Sequence, residues 1–417
     1  MDRFSRRTLL KSGLAGAVVL GGRIPAFLRR ALAAESLTAD PDGTVVVAIQ
    51  LAGGNDGLNT LVPFDDDIYR RNRPTLALTK RDVIPVQDGF GLHARLRGLV
   101  DLLQQHRLAI IHAVGYPNPN GDHARSMEIW QTAEPENPCP ETGWLGRAAD
   151  TLTRLGVPRA SCIPPATPSV FVGEIATPLT VVGRASVCVK TDRQSDLMLD
   201  PSLANNVAGE GGKEIAIHPA DASLESATVA PRHAAQRVAE IAGGSTARNV
   251  AYPQTAFGNR LAFVAQLIRA ELGVRIICTE MGGEGPGGFD THSLQDNNHG
   301  ELLGELGDAL TAFVTDLARD QLLERVVVYT YSEFGRTIRE NGRHGTDHGS
   351  AAPMFVAGGN LRRAIVGNPP NLSETENGGV KHTVDFRQVY AAILDRWLAV
   401  SSQEVLGASF SPIPLLE

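Results

Sequence analysis

Apolar positions along this chain fall into two kinds of run. Short unbroken runs, rich in β-branched residues, stand at 44–51, 108–114, 274–279, 326–331 and 353–358. Without polar alternation, such runs predict strands buried on both faces of a parallel sheet. Between them, apolar residues recur at helical spacing over 96–105, 255–272, 299–319 and 386–398, and Gly273 is placed to end the second of these helices. A further helix is expected to start at Gly143. The runs at 169–173 and 179–183 read as two short strands of a hairpin, and the polar, Ala-rich stretch at 192–248 reads as an inserted cap. Strand, helix and strand in alternation is the pattern of an α/β fold with a mostly parallel central sheet.

Acids and imidazoles gather just after these strands. The first strand runs into GGNDG with Asp56, and the third ends at Glu280 and leads through a glycine-rich loop to Asp290 and His292. The run at 326–331 is followed by Ser332, Glu333, Phe334 and Arg336, then by a short Gly-rich and charged loop holding Asp347 and His348. Ligands of open α/β sheets bind beyond the carboxyl ends of strands. On its own, Asp56 reads first as a turn-capping side chain. As a set, Asp56, Glu280, Asp290, His292, Glu333, Asp347 and His348 point to a metal centre. Oxygen and imidazole donors without a cysteine cluster suit one or two divalent ions, zinc, manganese, magnesium or calcium. After the second strand, a Pro- and Asn-rich loop leads to His123, Arg125 and Ser126 near the start of a helix. Ser126 reads as a capping residue or as a nucleophile at the positive helix end. His123 and Arg125 read as contacts to an anionic substrate, and His123 equally as a surface residue.

Composition narrows the field. With 417 residues, 42% hydrophobic and 20% charged, the chain can bury a sizeable core. A net charge of −7 and the lack of a long basic run exclude a charged nucleic-acid-binding face. Residues 1–34 carry SRRTLLK, a short apolar segment and ALA, the pattern of a twin-arginine signal peptide. That pattern implies the twin-arginine translocase as partner and a periplasmic or extracellular mature chain, 35–417, with no stable membrane span. The four cysteines, Cys139, Cys162, Cys188 and Cys278, are spaced too widely for a zinc knuckle. Cys139 and Cys162 are the pair nearest in sequence.

The signal, LAGGNDGLNTLVPFDD, RSMEIWQTAE, GGFDTHSLQDNNH, YSEFGRT and GTDHGSAAPMFVAGG together resemble the exported bacterial family catalogued as domain of unknown function 1501. The resemblance spans the mature chain. That family is grouped with the alkaline phosphatase and sulfatase superfamily. The resemblance therefore implies a three-layer α/β/α core, alkaline-phosphatase-like, with metal at the strand ends. It further implies a metal-dependent hydrolase of a phosphate or sulfate ester, small or polymeric, with Ser126 as nucleophile. In such a hydrolase, Arg125 or Arg336 is expected to bind the equatorial oxygens. Asp56, Glu280, Asp290, His292 and His348 match metal-binding positions of that superfamily. Related enzymes carry adjacent Asp and His after the strand at 326–331, where this chain has Glu333 and Phe334. The Cys/Ser-x-Pro-x-Arg signature of formylglycine sulfatases and the G-x-S-x-G elbow of esterases are both missing. The alternative reading is a non-catalytic exported binding protein on a decayed phosphatase-like core.

Overall fold

The computed structural model describes residues 43–155, 169–186, 188–191, 250–270, 273–283 and 287–416. The signal stretch at 1–34, Cys162 and the 192–248 cap lie outside them. In chain order the elements that frame the site are β1 (Val45–Ala52), α1 (Arg97–Gln104), β2 (Leu108–Gly115), α2 (His123–Thr132) and α3 (Trp144–Arg154). Next come β3 (Ser169–Val172), β4 (Cys188–Thr191), α4 (Ala256–Arg269), β5 (Ile276–Gly282), α5 (Gln295–Arg319) and β6 (Val326–Tyr331). The chain continues through β7 (Arg336–Glu340), β8 (Thr346–His348), β9 (Ala352–Gly358), β10 (Ile365–Val366), β11 (Val384–Asp385) and α6 (Phe386–Ala392).

One nine-stranded sheet carries the order β10-β2-β9-β6-β1-β5-β3-β4, with β11 beside β2 as well. Only β9 runs antiparallel to its neighbours, and every other pairing is parallel. Each buried strand feeds two cores because side chains alternate across the sheet. In β1, Val45, Val47, Ile49 and Leu51 join one cluster with Leu99, Phe257, Leu261, Leu306 and Phe313 from α1, α4 and α5. Val46 and Ala48 join the opposite cluster with Trp130, Trp144, Leu145 and Tyr390 from α2, α3 and α6. Helices therefore cover both faces, and the fold is a three-layer α/β/α arrangement with a mostly parallel sheet. No helix among the described residues is long and apolar enough to cross a membrane.

Three local expectations change. The 169–173 and 179–183 runs do not form a hairpin. β3 pairs in parallel with β4 and β5, while Leu179–Val181 forms a 3-10 turn. That turn is claimed by α3, since Gly143 N–H donates to Val182 O at 2.9 Å. The segment after β6 is an antiparallel hairpin, β7 with β8, rather than an open loop. Finally, α5 begins at Gln295, one turn before His299.

Candidate metal centre

Three chain segments are brought together beyond the carboxyl ends of β1, β5 and β6. The turn after β1 passes so close to its neighbours that side chains are excluded. A Cβ on Gly53 (φ +114°) would stand 2.4 Å from Asp290 N, and one on Gly54 (φ +80°) 2.3 Å from the Phe334 ring. Both conformations favour glycine. Asp122 caps α2 by accepting from Arg125 N–H at 2.9 Å, which makes His123 the first helical residue and turns it toward this region. The β7/β8 pairing sets Arg336 opposite His348.

Each of three imidazoles is oriented through Nδ1. His123 Nδ1 donates to Glu333 Oε1 at 2.9 Å, His292 Nδ1 to Asp347 Oδ1 at 3.0 Å, and His348 Nδ1 to Gly121 O at 2.7 Å. All three partners can only accept, so each Nδ1 carries a proton, and in a neutral ring that leaves the Nε2 lone pair to face the cluster. Those three Nε2 atoms converge on one oxygen, Asp290 Oδ1, at 3.5, 3.0 and 3.4 Å for His123, His292 and His348. His292 Nε2 also stands 2.8 Å from His348 Nε2. Lone pairs and a carboxylate facing one another repel, and a cation among them turns that repulsion into bonds. Ligands about 2.0–2.1 Å from a tetrahedral zinc stand roughly 3.3–3.4 Å apart, close to the His123 and His348 separations from Asp290. His123, Asp290 and His348 form the one group among the described residues with metal-holding geometry, all donor atoms lying within 4.8 Å of one another.

Surroundings tune these donors. Burial pushes the Asp290 carboxyl up, but the Arg336 guanidinium, 2.5 Å away, outweighs it and holds the group below its ordinary range. Burial holds the His348 imidazole below its ordinary value, with Arg336 and the other two histidines adding to the effect. Both shifts favour the ligating forms, carboxylate and neutral ring. Phe334, 2% exposed, stacks on His348 with ring centroids 4.5 Å apart and touches the His123 ring at 4.9 Å. It locks the orientation of both rings.

Residues 44–408 match the model of a protein family of unknown function, DUF1501. The chain belongs to this family. No protein of curated function matches it. Among solved structures it is similar to the C-terminal periplasmic domain of EcEptC from Escherichia coli in complex with Zn (10% identity, 77% of this chain and 75% of that one, TM-score 0.37). It is also similar to the integral membrane protein lipooligosaccharide phosphoethanolamine transferase A from Neisseria meningitidis (10% identity, 85% and 55%, TM-score 0.38). A putative sulfatase from Bacteroides thetaiotaomicron is a third (8% identity, 89% and 76%, TM-score 0.36).

In this DUF1501 member the remaining candidate residues are placed elsewhere or in other roles. Asp56 is fully buried, its carboxylate held by Arg73 at 2.6 and 2.9 Å and by Gln295. Glu280 pairs with Arg260 at 3.1 Å and accepts from Glu174 N–H, away from the cluster, and burial raises its pKa. Glu333 and Asp347 touch imidazole Nδ1 atoms, so they orient the rings of candidate ligands. Arg336 is 1% exposed and its nitrogens donate to Gly53 O, Gly54 O, Phe289 O, Thr346 O and Asp290. It clamps loops and is buried away from solvent. Arg125 is engaged by Glu128 and Pro135 O. Ser126 is fully buried, and its Oγ donates to Asn120 O at 2.6 Å. That bond fixes the loop whose next carbonyl, Gly121 O, orients His348. His123 is a candidate ligand that sequence reading assigned to substrate or surface. Its signal was Asp122 as a helix cap placing an imidazole at the first helical position after a strand.

Proposed function

We propose that this protein is an exported, metal-dependent hydrolase of an anionic ester, a phosphate or sulfate monoester, small or polymeric. The observation that carries the reading is the convergence of three Nε2 atoms on Asp290 Oδ1, each imidazole oriented from behind. His123, Asp290 and His348 would hold the ion, with His292 at the more exposed edge. An imidazole-rich donor set favours zinc over manganese, magnesium and calcium, which prefer oxygen donors. A divalent ion there would act as a Lewis acid on an ester oxygen and make water a nucleophile near neutral pH. Glu333 and Asp347 keep Nδ1 of their imidazoles protonated, Arg336 keeps Asp290 ionised, and Phe334 excludes water from the inner faces of two rings.

Ser126 is not the nucleophile of this reading. A hydroxyl with no exposed surface, already donating to a carbonyl, cannot reach an ester without unwinding the start of α2. The same burial is what favours the second reading, a metal-binding protein without turnover. A panel of phosphate and sulfate esters, run on the full chain before and after chelation and zinc or manganese repletion, decides between them. The hydrolase reading expects turnover that vanishes with chelation, returns with metal, and survives Ser126→Ala with less than about a ten-fold loss, whereas removing a true nucleophile costs orders of magnitude more. Metal binding with no turnover on any ester supports the second reading. Export by the twin-arginine translocase rests on residues 1–34 and is tested by replacing Arg6 and Arg7 with lysine and locating the chain.

A further inference from the structure

Beside the candidate centre a second strand-end carboxylate is already matched by a cation of the chain itself. Arg73 follows the helix Asp67–Asn72 and is completely buried. Its guanidinium grips Asp56 with two nitrogens, Nη1 to Oδ2 at 2.6 Å and Nη2 to Oδ1 at 2.9 Å. The remaining donors go to Asn59 Oδ1 at 2.7 Å, Thr337 O at 2.8 Å and Ile338 O at 3.0 Å. Leu58 N–H and Gln295 Nε2 donate to the same carboxylate. Planar, bidentate pairing of this kind is what guanidinium groups do best in buried sites.

We infer that the chain binds a single divalent ion and that Arg73 is its fixed second cation, occupying the carboxylate a second ion would need. The inference rests on the metal reading above. Charge favours it. Around the candidate centre the inner charges are Asp290, Glu333 and Arg336, while Asp347 and Arg343 are exposed and offset one another. One divalent ion leaves the recess with a single net positive charge, suited to an anionic ester. A second would leave three in a space with low dielectric walls, where like charges are costly. The pair is also tied to the segments that carry the candidate ligands. Gln295, bound to Asp56, accepts at Oε1 from the hydroxyls of Thr291 at 2.9 Å and Thr346 at 2.6 Å. Those threonines sit in the segments that carry Asp290, His292 and His348.

The test is stoichiometry on the full chain. The protein is stripped, saturated with zinc, desalted and assayed for zinc per chain by mass spectrometry, with cobalt titration followed by absorbance as a second count. One ion per chain is expected, with the cobalt signal breaking at one equivalent. Asp56→Asn should still bind one ion, and His348→Ala should retain less than one-tenth. Two ions per chain, one lost on Asp56→Asn, would overturn the inference and leave the metal reading standing. No ion in the wild type would overturn both. Should Asp56→Asn not fold, the wild-type count alone decides between one and two.

Discussion

Each imidazole of the candidate centre is oriented by an acceptor behind it, and the acceptors differ in burial. Glu333 is 1% exposed and also accepts from Gly53 N–H at 2.7 Å and Ser332 Oγ at 3.1 Å. Asp347 is exposed and braced by Asn341 alone besides its histidine. Groups that orient a ligand typically govern about 10–100-fold in metal affinity. Glu333→Gln is therefore expected to weaken zinc binding by about that factor, and Asp347→Asn by less, in competition with a chelating dye. The reverse order would contradict the assignment of His123 as a firm ligand. The Asp56–Arg73 pair obeys a different rule. Removing one partner of a buried ion pair leaves an uncompensated charge, so Arg73→Ala should cost about 3–5 kcal/mol in urea denaturation. A loss under about 1 kcal/mol, the size expected of an exposed pair, would contradict the burial described here.

At the scale of elements, strands and helices were legible because burial on two faces and helical spacing leave strong local patterns. The runs at 44–51, 108–114 and 326–331 became β1, β2 and β6 almost residue for residue. Pairing was less legible. Nothing local marks β9 as antiparallel, or sends the 179–183 run to cap α3 instead of joining the sheet. Roles within the site were harder still. Asp56 and Asp290 both follow strands, and only the arrival of Arg73 beside one and three imidazoles beside the other separates them. One strained element leads to its own prediction. Leu294, at the start of α5 and two residues past His292, is 74% exposed and held at φ 48°. A leucine gains nothing from that conformation, which glycine adopts freely. Leu294→Gly should raise stability by about 0.5–1 kcal/mol in thermal denaturation. A loss of that size would mean the side chain packs on something.

For the whole molecule, buried histidines set the acid limit of stability. His112 and His299 are 1% and 2% exposed, and burial holds each at about 4. The unfolded chain titrates them near the ordinary value of about 6.5. The folded pKa values are depressed, so their contribution is complete above about pH 6.5 and is lost as pH falls toward 4. Between pH 7 and pH 5 the loss should be about 2 kcal/mol for each, before most carboxylates protonate. Urea midpoints across that range check this, and a flat profile would contradict it. Asp56 adds a later loss. Burial raises its carboxyl, but Arg73 outweighs this and holds it low, so its contribution persists above the usual carboxylate range and disappears only as pH falls below it.

The central claim is a position in space, and anomalous diffraction at the zinc edge from crystals of the zinc-loaded full chain tests it most directly. The account predicts a peak about 2.0–2.2 Å from His123 Nε2, Asp290 Oδ1 and His348 Nε2. A zinc-loaded crystal with no peak among those three atoms, or with its peak on Asp56, would contradict it.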